Sequence, residues 1–159
     1  MALVLVDSDG EYVQECPLCG QALSEPIYAT SHFIADRNEP LWRYSDAAMH
    51  WNCYCSWDQQ ERFASLYFEA KLKRAAAYQR NGAWFTLLQT SSVLVTYGTF
   101  VEELDVVLKE SGTGLRISRE KWPDWLAGKW KAQCRPGLEF QAVQKVIPEL
   151  ATVSPPDVV

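Results

Sequence analysis

The sequence predicts an α+β protein with a metal-stapled amino-terminal lobe, one long helix and a mostly antiparallel β region. Three observations predict it. Two Cys/His pairs at metal-ligand spacing lie within the first 53 residues. A helical repeat of apolar residues runs from about Trp57 to Tyr78. Beyond Asn81-Gly82, short apolar runs alternate with turn residues, which is the pattern of strands and hairpins. The expected organisation is therefore a metal-bound lobe with its helix over 1–80, a β-rich region packed on it over 81–147, and a flexible tail over 148–159.

At 159 residues the chain can bury a real core without needing metal or disulfides simply to fold. Its 48% apolar and 22% charged content is that of a soluble globular protein, and no apolar run approaches the length of a membrane span. The start "MALVLVDSDG" has no basic region and reads as a strand and turn, not as an export signal. The expected compartment is therefore the reducing cytoplasm. Stable disulfides are rare there, and the five cysteines are an odd number for a disulfide framework.

From the amino terminus, Leu3 to Val6 and Glu11 to Gln14 read as a hairpin around the turn residues "DSDG". "CPLCG" is a tight turn. Ile27 to Ile34 reads as extended, and "ADRNEP" as a loop ending at Pro40. In the long helix, Phe63, Leu66, Tyr67 and Ala70 recur at helical spacing. Ser56 or Asp58 can cap its start, and Asn81-Gly82 stops it. "AWFTLLQ" and "SSVLVTYG" read as strands around Thr90. "ELDVVLKESGTGLRIS" reads as a hairpin, with strand favoured for Asp105 to Lys109. The competing reading there is a short helix capped by Thr99 and Glu102. "EKWPDWLAGKW" reads as a short helix or irregular turn broken at Pro123, and "VSPPDVV" as a loose end.

The chemistry sits in the cysteines and histidines. Cys16-Pro-Leu-Cys19-Gly is a CxxC pair, and His50-Trp-Asn-Cys53 is an HxxC pair. Zinc in a closed structural site takes four tetrahedral nitrogen or sulfur ligands. A tight CxxC turn can aim two thiolates at one point, and Gly20 suits a backbone bending beneath a metal. Residues three apart share one face at a helix start, so the HxxC pair can supply the other two ligands. A redox role for Cys16 and Cys19 fits less well, because "GQALSEP" is a poor helix start where a thioredoxin-like pair needs one. His32 and Cys55 are the alternative ligands, and Cys134 stands apart as a structural cysteine.

These motifs resemble the treble-clef zinc fingers, over about residues 14–75. In that family a CPxCG knuckle leads into a hairpin, and the first turn of a helix supplies two further ligands. "MHWNCY" is similar to the His-x-x-Cys segment of LIM-type fingers, although this chain has material for one zinc site where a LIM module has two. The resemblance implies one structural Zn2+ held by Cys16, Cys19, His50 and Cys53. It implies local architecture more than activity, because treble clefs serve unrelated functions.

No HExxH, deaminase, GxSxG, phosphate-loop or dinucleotide signature is present, so the leading expectation is a non-enzymatic zinc-binding protein-interaction module. Two alternatives stand beside it. "SHFIADRNEP" loosely resembles the HNH-type nucleases, which leaves a divergent zinc-dependent hydrolase or nuclease as one. The other is nucleic-acid binding through residues 115–135, where Trp122, Trp125 and Trp130 lie among basic residues. Residues 115–145 carry 7 bases against 3 acids, whereas residues 1–69 carry 11 acids against 3 bases. The acidic front half disfavours a nucleic-acid surface there and points to the later basic segment for one, and the tryptophans read first as core.

Overall fold

The computed structural model describes residues 4–98 and 102–157. The expected α+β class is observed: helices, one of them long, and two antiparallel sheets. The chain forms two compact units, Met1–Phe63 and Ala64–Val159, and the division falls inside the long helix.

The first unit opens with the expected hairpin over its described residues. Val6 bridges Tyr12, and the Asp7 carboxylate accepts the backbone N–H groups of Asp9 and Glu11 to close the turn. A second tight turn spans Glu15 to Ala22, which pair with each other. Strands β1 (Ile27–Ala29) and β2 (Ala48–His50) form an antiparallel ladder with Tyr28 opposite Met49. The extended reading of Ile27 to Ile34 is correct only to Ala29, because β2 offers a partner for three residues only.

Helix α1 (Trp51–Cys55) follows β2 without a loop, and helix α2 spans Gln60–Arg80. The long helix therefore starts later than expected. Ser56 does not cap it. Its hydroxyl donates back to the Asn52 carbonyl and closes α1 instead. The unit's core is aromatic. Tyr28 and Tyr54 stack with centroids 3.7 Å apart, and Phe63 packs edge-on to both. Trp51, Tyr54 and Phe63 are almost fully buried.

The second unit is a meander of four antiparallel strands. In order these are β3 (Trp84–Gln89), β4 (Val93–Gly98), β5 (Glu103–Leu108) and β6 (Thr113–Ser118). Both expected hairpins are present, and Asp105 lies in a strand. The competing helical reading begins at Thr99, Phe100 and Val101, outside the described residues. Asn81-Gly82 ends α2 as expected, with Gly82 at φ +69° and the Ala83 N–H bonded to the Tyr78 carbonyl.

Side chains alternate across this sheet, so each face has its own cover. Leu94 and Val107, directly opposed, meet Phe68 and Ala75 of α2. Val93, Val95, Leu104, Val106, Leu108, Leu115 and Ile117 face the larger core, which contains Trp122, Trp125 and Trp130.

The segment after β6 is a run of short helical turns that includes α3 (Trp122–Asp124) and α4 (Trp130–Gln133). Pro123 does not break it. Proline sits in the first turn of α3, where no N–H is required, and the kink falls at Gly128, φ +144°. All three tryptophans are 5% exposed or less. The Trp122 indole donates to the Val153 carbonyl, and that of Trp125 to the Gln133 side chain. They are core, so they offer no stacking platform for bases.

Helix α5 (Leu138–Leu150) is absent from the expected elements. Ala142, Val143, Val146 and Leu150 form its buried stripe. Buried Glu139 accepts the Arg135 backbone N–H and pairs with the Arg135 guanidinium, tying down the helix start. The expected tail over 148–159 also needs correction at its start. Residues 148–150 finish α5, Val153 lies in the core, and Arg119 donates to the Pro156 carbonyl.

Trp122→Ala should cost about 3–5 kcal/mol of stability, the range for emptying a large aromatic site. The expected result is a lower urea midpoint with an unchanged slope.

Candidate metal centre

The site is built by two short pieces of chain. The first is the turn that carries Cys16 and Cys19. The Cys16 N–H donates to the Gln21 carbonyl and the Gly20 N–H to the Cys16 carbonyl, both at 2.8 Å. Gly20 has φ +74°, and a Cβ there would meet nothing within 4 Å. Glycine is required for backbone conformation, not for space. The second piece is the passage from β2 into α1. His50 is the residue flanking the helix start, and Cys53 stands one turn on, so both face the first turn.

The four candidate donor atoms lie within 4.8 Å of one another. His50 Nδ1 is 3.3 Å from Cys19 Sγ and 3.6 Å from Cys53 Sγ. Tetrahedral zinc, with Zn–S near 2.3 Å and Zn–N near 2.0 Å, needs S···N edges of about 3.6 Å. The observed distances fit. The His50 backbone N–H points at Cys16 Sγ, 3.4 Å away.

The tautomer of His50 follows from its other nitrogen. Nε2 is 2.9 Å from the Ala22 carbonyl oxygen, which can only accept. Nε2 therefore carries a proton, and in the neutral ring it is Nδ1 that presents a lone pair to the thiols. This outer contact is what metal-binding histidines use to orient the ring.

The thiols differ electrostatically. Burial opposes ionisation of Cys16, but backbone N–H groups of His50, Leu18 and Cys19 outweigh it and lower the thiol to about 7. Burial pushes Cys53 up to about 11, and the neighbouring Cys19 and Cys16 add to the shift. In the absence of a cation, three sulfurs this close cannot all ionise readily. A divalent metal removes that repulsion and holds the thiolates deprotonated.

All four expected residues are brought together. The alternatives are not among them. His32 Nδ1 lies 3.0 Å from Ser45 Oγ, and the ring packs edge-on to Trp42. Cys55 is half-buried in α1 outside the cluster. Cys134 belongs to the other unit. Burial, reinforced by the Glu139 charge, raises its thiol to about 12, which disfavours the thiolate. Sequence reasoning missed the Ala22 carbonyl, because a backbone acceptor carries no residue signature.

Among the described residues no helix is long and apolar enough to cross a membrane. Comparison with protein-family models, curated proteins and solved structures found no match.

Gly20→Ala should cost about 1–2 kcal/mol through backbone strain alone. The check is thermal unfolding of the variant with and without added zinc, with a lower midpoint in both conditions.

Proposed function

We propose that this chain is a non-enzymatic zinc-binding protein that works as a protein-interaction module. One structural Zn2+ is held by Cys16, Cys19, His50 and Cys53. The observation that carries the reading is the convergence of three Sγ atoms and His50 Nδ1, with Nε2 committed to Ala22. Four protein donors fill a tetrahedral zinc and leave no position for a reactive water, which favours structure over catalysis. The order of elements fits the treble-clef pattern: a CxxC turn, a β1–β2 ladder, then a helix start. Zinc bound to thiolates goes with a reducing compartment, so the reading carries a cytoplasmic location with it. The nucleic-acid alternative finds no support in Trp122, Trp125 and Trp130, which are buried. The hydrolase alternative would need an open coordination position.

Elemental analysis of the untagged protein should find one zinc per chain, with Cys16→Ser and His50→Ala losing or weakening it. Removing the metal with a chelator should destabilise the first unit and lower its unfolding midpoint, because structural zinc contributes on the order of 10 kcal/mol. Cobalt substitution separates the alternatives. A tetrahedral, thiolate-rich spectrum insensitive to added anions is the expected result. An exchangeable water would favour the hydrolase, and an absence of metal would end the zinc reading.

A further inference from the structure

A cleft of about 480 Å³ opens beside the metal centre in the first unit. Pro17, Leu18, Tyr44, Cys53, Ser56, Trp57 and Asp58 line it. Its chemistry is one-sided. Pro17 and Leu18 supply an aliphatic wall. Tyr44 and Trp57 supply two aromatic rings, packed edge to face at 4.8 Å. Beside the Tyr44 hydroxyl and the Trp57 indole N–H, which can donate, the polar side chains that line it are the acceptors Ser56 and Asp58. Ser56 Oγ has spent its proton on the Asn52 carbonyl, so it can only accept from a ligand. Asp58 is exposed and, among the described residues, has no ion-pair partner. No lysine, arginine or histidine lines the cleft. Cys53 adds thiolate character once a metal is bound.

We propose that this cleft binds a lysine or arginine side chain from a basic segment of a partner protein. The apolar stem of such a side chain would lie along Leu18 and Pro17. Its charged head would meet Asp58 beside the Trp57 ring, because aromatic faces attract cations. The chain's own Arg43 shows this attraction and already takes one face of Tyr44, its guanidinium lying 4.8 Å over the ring, which leaves Trp57 and Asp58 to the incoming cation. Charge complementarity extends beyond the cleft. The first unit carries 10 acids against 3 bases over residues 1–63, a net charge of −7. Long-range attraction would therefore steer a basic segment toward this unit and repel an acidic one. The proposal rests on the interaction-module reading and names its partner class.

The test uses the full-length, zinc-loaded chain and fluorescein-labelled peptides of about twelve residues. Three peptides differ only in whether lysine and arginine, glutamine or glutamate occupy the variable positions. Fluorescence polarisation should show binding of the basic peptide alone, weakening as salt rises. Asp58→Lys should weaken it by about tenfold or more. Asp9→Lys makes the same charge change outside the cleft and should weaken it by less than about twofold. Zinc content is measured on every variant. Equal binding of the glutamine peptide overturns the proposal. So does equal loss in Asp9→Lys and Asp58→Lys, which would mean diffuse charge attraction only. No binding of the basic peptide to a chain holding one zinc also overturns it, while leaving the structural-zinc reading in place. A wild-type chain without zinc would instead sink that underlying reading.

Discussion

The convergence of donor atoms in the first unit depends on the hydrogen bond from His50 Nε2 to the Ala22 carbonyl. It joins the cysteine turn to the start of α1 across 28 residues of sequence. It also decides which imidazole nitrogen is free. With the proton held at Nε2, Nδ1 is the only ring atom able to accept a metal, and it faces Cys19 and Cys53. Were the ring turned the other way, the four donors would no longer converge. A backbone acceptor is a durable choice for this role, because no side-chain substitution removes it. The same contact helps to close the 14–23 turn against the β1–β2 ladder, where the Trp51 N–H donates to the Pro26 carbonyl.

Two kinds of cohesion meet in this unit. The aromatic cluster of Tyr28, Trp51, Tyr54 and Phe63 buries large surfaces and seats α1 on β1. The thiol and imidazole groups sit at its edge, where Cys16 is fully buried and Cys19 is exposed. An apolar core of this size can hold the turn and the helix start near each other, so a metal would find its donors close to their final positions. Pre-organisation of this kind lowers the cost of ordering the ligands on binding. It also explains why the unit can keep an open cleft beside the site, since its stability does not rest on filling that space.

The second unit uses a different economy of materials. Where its sheet is covered on both faces the strands carry unbroken apolar runs, Val93-Leu94-Val95 in β4 and Val106-Val107-Leu108 in β5, while Glu103 and Asp105 keep the start of β5 alternating. Three tryptophans and the stripe of α5 fill one side, and α2 supplies the other. Apart from buried Glu139, which pairs with Arg135, its charges lie largely outside this core. The Asp105–Arg116 cross-strand pair lies on the α2 side of the sheet, with the arginine largely exposed. Such pairs contribute little to stability. The basic residues of 115–145 lie mostly at the surface, with Arg119 and Arg135 half-buried, and the tryptophans between them belong to the interior.

Local sequence was enough wherever the signal is short in range. Asn81-Gly82, "DSDG" and the two β-hairpins were legible because turn chemistry acts within a few residues. The CxxC and HxxC spacings were legible because each pair shares one turn of backbone. What the sequence could not say is set by partners distant along the chain. β1 stops at Ala29 because β2 is only three residues long. Ser56 turns back to Asn52 because α1 ends there, not because α2 begins. Helix α5 carries a good apolar stripe, but Pro148 within it and Gly137 before it argue locally against a helix; packing of that stripe on the sheet decides in its favour. The sequence alone thus determined which residues could hold a metal. Only the tertiary structure decided between His50 and His32, because that choice depends on which imidazole is carried to the cysteine turn and which is held by Ser45.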